Sequence, residues 1–566
     1  MPDTDVVIVG AGAGGLAAAW RLTTQGLRVV LLDAGRYYTP FRDYPQTAAD
    51  FELRPFPYDP VRDEAGRPRY GFGSAQPVGA EWDRYRSFNR GQGRFVTAGH
   101  RHYHQYAHVR GVGGSTLHFD GEAHRYHPHA LEMRTRFGVG ADWPIPFAEL
   151  ERYYDTVEEQ AGVAAPAANP WRPRSRPPVL PAHPLSYASA RLRAGFSAIG
   201  ASLLPNALAI LPQPYGGRPP CNYCNSCAAG CPLGDKGSAD VVFLPAALAT
   251  GHLDLRPNAV ALQIEVDARG RAAAVVYRDA GGTMQRVGGP YVVLAAGAVE
   301  TPRLLLLSES TRFPHGVANG AGQVGRHLTE TLFWWSIGLL PDRVDAHRGV
   351  PIDGTAWDFA VPQAHADGTV GGFRVSTAHG AAGLRGPVAY AERLVPGFGL
   401  AHQRRLAEIF GHAVALLALG EWFPNPQTYV DLDPRLRDGN GLPAARITSH
   451  LGDNERRLLK RMADTTRSVL AAAGATELVE ETSALDLFSA SHVLGTCRLG
   501  RDPATSVADA DGFAHEVPNL AFADGSLLPS SGSGDSPSLT IMALAVRTAD
   551  RLIERARGSE RDGSVR

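Results

Sequence analysis

Three short segments of this sequence contain residues that could do chemistry. The motif Gly10-x-Gly12-x-x-Gly15 can hold the pyrophosphate of a dinucleotide. The run Cys221-x-x-Cys224-x-x-Cys227-x-x-x-Cys231 has the spacing of a bacterial ferredoxin segment. Near the other end, His492 stands alone in a Gly-rich segment, and an imidazole can accept and return a proton near neutral pH.

The elements around the glycine motif predict a dinucleotide-binding fold. Val6 to Val9 is a continuous apolar run, typical of a strand buried on both faces of a parallel sheet. Gly10 permits the tight turn, Gly12 allows close approach of the pyrophosphate, and Gly15 allows the helix to pack near the strand. A second strand ends at Asp33, 18 residues after Gly15, where an acid is expected to bind a ribose hydroxyl. The motif alone does not distinguish FAD from NAD.

The cysteine run allows more than one interpretation. Zinc usually takes two separated pairs of ligands, so four thiols this close together argue against a closed zinc site. In two-cluster ferredoxins the fourth cysteine serves a different cluster, which leaves one [4Fe–4S] cluster on these four residues open. A three-iron cluster held by three of them is an alternative.

Length and composition exclude several classes of function. A chain of 566 residues favours two domains packed around one cofactor. A net charge of -1 and a pI of about 7.1 give no indication of nucleic-acid binding. No apolar run approaches the roughly 20 residues of a membrane span. Since the first strand begins at residue 5, there is no room for a leader peptide, and we expect a cytoplasmic protein.

Five ordered blocks of the chain resemble the glucose-methanol-choline (GMC) oxidoreductase family. The stretch from Gly138 to Tyr154 is similar to the bacterial branch that oxidises sugars and sugar acids. The blocks are the glycine motif, residues 110–118, residues 293–302, the segment around His492, and the tail of residues 523–545.

The resemblance implies an α/β chain, α+β overall, in which a doubly wound Rossmann-type FAD domain adjoins a substrate domain built on an antiparallel sheet. We assign residues 1–330 to a discontinuous FAD-binding domain with an inserted linker and a Cys-rich loop. Residues 331–485 form the substrate-binding domain, and residues 486–566 return to the FAD domain. We expect a hairpin over residues 255–277, a buried strand over 289–296, and an amphipathic helix near Asp453 to Ala473. The Pro-rich stretch 165–184 is predicted to be a surface linker without a packed element.

By the same resemblance His492 is the general base that takes the hydroxyl proton. The second catalytic position of the family usually holds histidine or asparagine, and here it is Ser536. Serine is not a useful base at neutral pH. Either His492 acts alone while Ser536 orients the substrate hydroxyl, or Asp535 or a residue outside the motif takes the second role.

The resemblance also implies FAD as the cofactor. His118 occupies a position where some members carry a histidine joined covalently to the flavin; the alternative is a ring stacked beside the flavin without a bond. The other residues implied to bind the cofactor are Gly113, Gly114, Ala296, Gly297, Asp524, Gly525 and Pro537.

For Cys221, Cys224, Cys227 and Cys231 the resemblance leaves both an iron–sulfur centre and buried, unligated thiols open. The expected activity is a dehydrogenase for a sugar, glycoside or sugar-like alcohol, with a protein among its conceivable electron acceptors. An oxidase that releases hydrogen peroxide and a flavin-binding protein without redox turnover are the alternatives. We expect no nucleic-acid partner and no membrane span.

Overall fold

The computed structural model describes residues 4–40, 43, 87–88, 93–98, 103–104, 109–225, 227–384, 386–488 and 491–561. Five strands of this part form a parallel sheet; all are short, and four of them are largely apolar, whereas the edge strand Leu253–Arg256 carries Asp254 and Arg256. In spatial order they are Leu253–Arg256, Val29–Leu32, Val6–Val9, Tyr291–Leu294 and Leu520–Phe522. The order is that of a Rossmann-type sheet, and the predicted α/β class with antiparallel sheets elsewhere is confirmed.

Helices cover this sheet and bury its apolar residues. Gly15 lies at the start of the first helix, where a Cβ atom would come within 1.9 Å of the Gly10 carbonyl oxygen. Only glycine therefore lets the helix approach the strand so closely. The helices of this half are Ala13–Thr24, Phe147–Ala161, Ala239–Val242, Leu244–Ala249, Gly297–Leu307 and Ser538–Arg561.

In the sequence, a separate three-stranded antiparallel sheet is inserted between two strands of the parallel sheet, Leu253–Arg256 and Tyr291–Leu294. The predicted hairpin turns at Asp267 to Gly270, as expected, but it begins at Val260, because residues 253–256 pair instead with the second strand of the parallel sheet. The predicted buried strand over residues 289–296 is Tyr291–Leu294. The strands of the antiparallel sheet are Val260–Val266, Ala272–Arg278 and Met284–Gly288.

A six-stranded antiparallel sheet forms the second large core. Its strands, in order, are Glu477–Ser483, Leu332–Leu339, Ala413–Gly420, Phe373–Thr377, Gly354–Ala356 and Leu203–Pro205. The predicted amphipathic helix is Asp453–Ala472, and it packs on this sheet together with Tyr187–Ala198. One edge strand, Leu203–Pro205, comes from outside residues 331–485, whose boundaries stay a prediction.

The remaining elements are short. The predicted surface linker differs from the structure, since Leu180–Pro181 pairs with Ala164–Ala165 and Arg172 is buried. A three-stranded sheet joins Tyr429–Arg437, Pro443–His450 and Gly93–Ala98. Two-residue strands pair Gln363–Ala364 with Val370–Gly371, Leu487–Phe488 with Tyr103–His104, and Ser87–Phe88 with Val109–Arg110. The other helices, α and 3-10, are Gly114–Leu117, Pro128–Leu131, Met133–Phe137, Cys227–Ala229, Pro387–Arg393, Gly399–Ile409 and Gly525–Leu527. No helix of the described part is long and apolar enough to cross a bilayer.

Candidate active site

The carboxyl ends of the two first parallel strands open onto one cavity. Gly10, Asp33 and Ala296 line it together with the start of the antiparallel hairpin. The Asp33 carboxylate accepts hydrogen bonds from the amides of Ala11 and Gly35, each at 2.8 Å. Burial nevertheless raises the pKa of Asp33 to about 6. The predicted ribose-binding acid thus lies beside the glycine turn, at the sheet edge where nucleotides bind in such folds.

The second predicted block meets the glycine motif directly. The Gly113 amide donates to the Ala11 carbonyl at 2.8 Å. Gly114 has a φ of +54°, and a Cβ atom there would lie 2.7 Å from the Cα of Gly12. A side chain at this point would therefore fill the cradle between the two turns. The bare backbone fits a pyrophosphate and the flavin attached to it.

Asp524 connects two further predicted blocks. Its carboxylate accepts from the Gly297 amide at 2.9 Å, the Thr301 hydroxyl at 2.5 Å and the Ser526 amide at 2.8 Å. This carboxylate thereby connects the segment after the strand Tyr291–Leu294, with Ala296 and Gly297, to the segment after the neighbouring strand Leu520–Phe522, with Asp524 and Gly525. Pro537 immediately precedes the C-terminal helix, and its carbonyl accepts from the Ile541 amide at 2.8 Å.

His118 lies at the end of the short helix that follows Gly114. Its Nδ1 is 2.9 Å from the Ala228 carbonyl oxygen. Because a carbonyl can only accept, Nδ1 carries the hydrogen. The segment that follows the glycine block is thus in contact with the Cys-rich loop.

Lys236 strengthens the same connection. Its buried ammonium donates to the carbonyls of Leu117 at 2.9 Å, Phe119 at 3.1 Å and Cys227 at 2.8 Å. Three donors satisfied by three carbonyls account for a fully buried lysine.

The four clustered cysteines do not converge as a ligand set. Cys224 is exposed, Cys227 is buried, and Cys221 and Cys231 are intermediate. The Cys231 thiol donates to Asp235 at 2.7 Å, and burial together with that carboxylate raises its pKa to about 11. Within the described residues no three His, Cys, Asp or Glu side chains are arranged to hold a metal ion. A cluster needs thiolates pointing to one centre, so this arrangement does not fit one.

His492 is a neutral imidazole held by a hydroxyl. Its Nδ1 is 2.8 Å from the Thr331 Oγ1. Burial lowers the pKa of His492 to about 4; the charge of Arg374 acts in the same direction and that of Glu122 in the opposite one. The side chain can therefore accept a proton at neutral pH.

Ser536 takes part in a buried charged network. Its hydroxyl is 2.6 Å from Glu122 Oε2, and Arg374 donates to the same oxygen at 2.7 Å. Asn206 donates to Glu122 Oε1 at 2.9 Å. Burial would raise the pKa of Glu122, but the charges of Arg374 and His124, together with the hydrogen bonds to the carboxylate, outweigh it and lower that pKa to about 2. Glu122 is therefore ionised and acts only as an acceptor.

Asp535 has its own partner. Arg172 donates to both of its oxygens, at 2.9 and 3.0 Å, and stacks 4.2 Å above the Trp357 ring. His124 lies between the two carboxylates, with Nδ1 3.8 Å from Asp535 and Nε2 3.6 Å from Glu122. Both acids of the network are thus paired with an arginine.

Sequence reasoning missed Glu122, Arg172 and Arg374, since none of them lies in a recognised motif. Arg374 left one signal, because it interrupts a short run that is otherwise typical of a buried strand, Phe373–Thr377. A charge inside such a run needs a buried counter-charge. Glu122 and Arg172 left no comparable signal.

Comparisons with known proteins found matches to three family models. Two family models described as GMC oxidoreductase match residues 201–332 and 424–545, and one described as an NAD(P)-binding Rossmann-like domain matches residues 8–39.

Three curated relatives match nearly the whole chain. The fructose dehydrogenase large subunit of Gluconobacter japonicus is 29% identical over 97% of this chain and 98% of its own. The 2-methyl-1,2-propanediol dehydrogenase of Mycolicibacterium austroafricanum is 29% identical over 98% and 96%. The paromamine 6'-oxidase of Streptomyces fradiae is 31% identical over 96% and 90%.

The fold is shared with a solved structure, that of pyridoxine 4-oxidase from Mesorbium loti. It aligns with a TM-score of 0.61 at 17% identity, over 97% of this chain and 99% of the other.

Proposed function

The chain belongs to the GMC oxidoreductase family, and from this premise we propose that it oxidises a CH–OH group of a sugar, glycoside or sugar-like alcohol with bound FAD. One observation carries the proposal: His492 lies with Nδ1 2.8 Å from the Thr331 hydroxyl, and its pKa is lowered to about 4.

The residues that would hold FAD are those of the glycine cradle and its surroundings. Gly12 and Gly114 would leave room for the pyrophosphate, the other glycines Gly10, Gly15 and Gly113 set the backbone around it, and Asp33 would bind the ribose. When bound, FAD supplies the acceptor for the hydride of the carbinol carbon.

His492 handles the proton in this proposal. The proposal requires the tautomer in which Nδ1 carries the hydrogen and donates to Thr331 Oγ1, so that Nε2 is the proton acceptor. The hydroxyl proton of the alcohol passes to Nε2, and the carbonyl product forms as the hydride leaves. Thr331 holds the ring in position through the same contact.

His118 is the proposed site of attachment if the flavin is covalently bound. The hydrogen bond from Nδ1 to the Ala228 carbonyl fixes the position of this ring beside the Cys-rich loop. The alternative is a ring stacked on the flavin. Acid precipitation distinguishes the two: a covalent flavin stays in the pellet, and a stacked one is released. The same spectrum reports iron–sulfur absorption, for which the cysteines as arranged provide no ligand set.

We further propose that the enzyme is a cytoplasmic dehydrogenase that uses an acceptor other than oxygen. Relatives named as dehydrogenases and as an oxidase both match the chain. Hydrogen peroxide formed in equal amount to the alcohol consumed would establish the oxidase instead.

The test is anaerobic bleaching of the flavin absorbance by D-fructose, 2-methyl-1,2-propanediol and paromamine. We expect at least one of them to reduce the wild-type flavin. His492→Ala should keep its flavin but lose about two to four orders of magnitude in the rate of reduction, the usual contribution of a general base.

The matched control is His252→Ala, because His252 is exposed. It should reduce at the wild-type rate. Unimpaired reduction in His492→Ala would remove this histidine from the mechanism. An unchanged flavin spectrum with every alcohol would support a flavin-binding protein without turnover.

A further inference from the structure

Ser536 differs from the groups it replaces in the hydrogen bonds it can offer. An asparagine amide or a histidine can donate to a substrate oxygen. The Ser536 hydroxyl has a single hydrogen, and the ionised Glu122 lies 2.6 Å away as an acceptor. The hydrogen is thus directed to the carboxylate.

The surrounding contacts hold this direction in place. Arg374 donates to Glu122 Oε2 at 2.7 Å and to Ser536 Oγ at 3.4 Å. Asn206 fixes the other carboxylate oxygen at 2.9 Å. Turning the Ser536 hydrogen away would cost the carboxylate a charge-assisted bond, which is stronger than a neutral one. A hydroxyl oxygen has two acceptor sites, so Ser536 can accept one more hydrogen bond besides the one from Arg374.

The network also lies near the proton-accepting histidine, because the strand that follows Thr331 and the strand that carries Arg374 flank one common strand, with Leu332 and Phe373 both paired with Gly420. The charges of Glu122 and Arg374 both act on His492. Ser536 and Glu122 each keep 5% of their surface exposed, whereas Arg374 and Asp535 keep none. Within this network, accessible surface is thus retained by Ser536, Glu122 and Arg172.

The reacting hydroxyl has one hydrogen, and His492 takes it. An acceptor beside it needs a second donor on the substrate, and a hydroxyl on the neighbouring carbon is the nearest group that supplies one. We propose that Ser536, backed by Glu122, is a specificity-determining residue that accepts a hydrogen bond from the adjacent hydroxyl of a vicinal diol. This inference rests on the proposed function, and it names the substrate class.

The experiment compares three alcohols with the same reacting CH₂OH group. They are 2-methyl-1,2-propanediol, its 2-methyl ether and 2-methyl-1-propanol. The ether has the neighbouring oxygen without its hydrogen, and the monoalcohol lacks both. Stopped-flow reduction of the flavin in the wild-type holoenzyme gives the limiting rate and the apparent Kd for each. We expect the diol to be preferred by about tenfold to hundredfold in the ratio of rate to Kd, the effect of one hydrogen bond.

Two serine variants locate the preference. Ser536→Ala removes the acceptor and leaves the Glu122–Arg374 pair, so it should fold, bind flavin and react with all three alcohols about equally. Ser538→Ala is the matched control, since Ser538 donates to the backbone carbonyl of Glu122 at 3.0 Å and not to its carboxylate. It should keep the preference for the diol.

The outcomes separate the two proposals. Equal reactivity of the three alcohols with the wild type, or a diol preference that survives in Ser536→Ala, overturns the role of Ser536 and leaves the oxidation itself standing. Reduction of the flavin by D-fructose but not by the diol would likewise overturn the role of Ser536 and leave the oxidation standing. If no alcohol reduces the flavin, the proposed function fails, and the inference fails with it.

Discussion

His492 gives the site a pH dependence that can be measured. The half-buried imidazole of His492, with its pKa lowered to about 4, is unprotonated at pH 7, and it loses its capacity to accept a proton only as the pH falls through that value. We expect the rate of flavin reduction to be flat from about pH 8 to pH 5 and to decline below, as far as the protein stays folded. An acidic limb centred near the ordinary pKa of about 6.5 would contradict the environment assigned to His492.

At the same scale the sequence predicted some of the site and missed the rest. The resemblance singled out His492 and Ser536, and both lie beside the same pair of charges. It did not reveal Glu122. The partners of this carboxylate are distant in the sequence, so no local residue spacing forms a motif that could be recognised. Asp535 was a candidate for the second role, yet its bond to Arg172 is visible only in three dimensions.

Among the elements, the Cys-rich loop, which we call the strap (residues 221–236), packs against the segment of residues 110–119. Lys236 holds the carbonyls of Leu117 and Phe119 on one side and that of Cys227 on the other. The cysteine spacing suggested ligands, but the contacts show a loop fixed by a lysine instead. The strands of the parallel sheet were easier to predict, since buried apolar runs such as Val6–Val9 carry their signal locally.

The strap can be tested with Lys236→Met, which keeps the length of the side chain and removes its three donors. Three buried carbonyls would lose their partner, and we expect about 3 kcal/mol less free energy of unfolding, with weaker retention of flavin. Urea denaturation and the flavin content of the purified protein measure both. Lys460→Met is the control, because the only other lysine is a surface residue bonded to Asp464; its stability should stay within about 0.5 kcal/mol.

Across the whole molecule, two apolar cores are joined through buried charges. Glu122 follows residues 110–118 in the sequence, whereas Arg374 lies on the six-stranded sheet, and the two form an ion pair. Arg172 lies in the Pro-rich stretch, 363 residues before Asp535. Composition alone predicted that stretch to be a surface linker, because proline and arginine are usually exposed. The long-range pairing that buries Arg172 could not be inferred from one sequence.

This pairing gives the last prediction. Arg172→Met would leave the fully buried Asp535 without its counter-charge, and removing one partner of such a pair costs about 3–5 kcal/mol. The urea midpoint should fall accordingly. Arg176→Met, in the same stretch, is the matched control, since its side chain is 66% exposed and its ion pairs are long, at 3.5 and 3.7 Å. If both variants unfold at the wild-type midpoint, the pairing of Arg172 with Asp535 contributes nothing to the free energy of unfolding. The Asp535 carboxylate must then be neutralised by protonation instead.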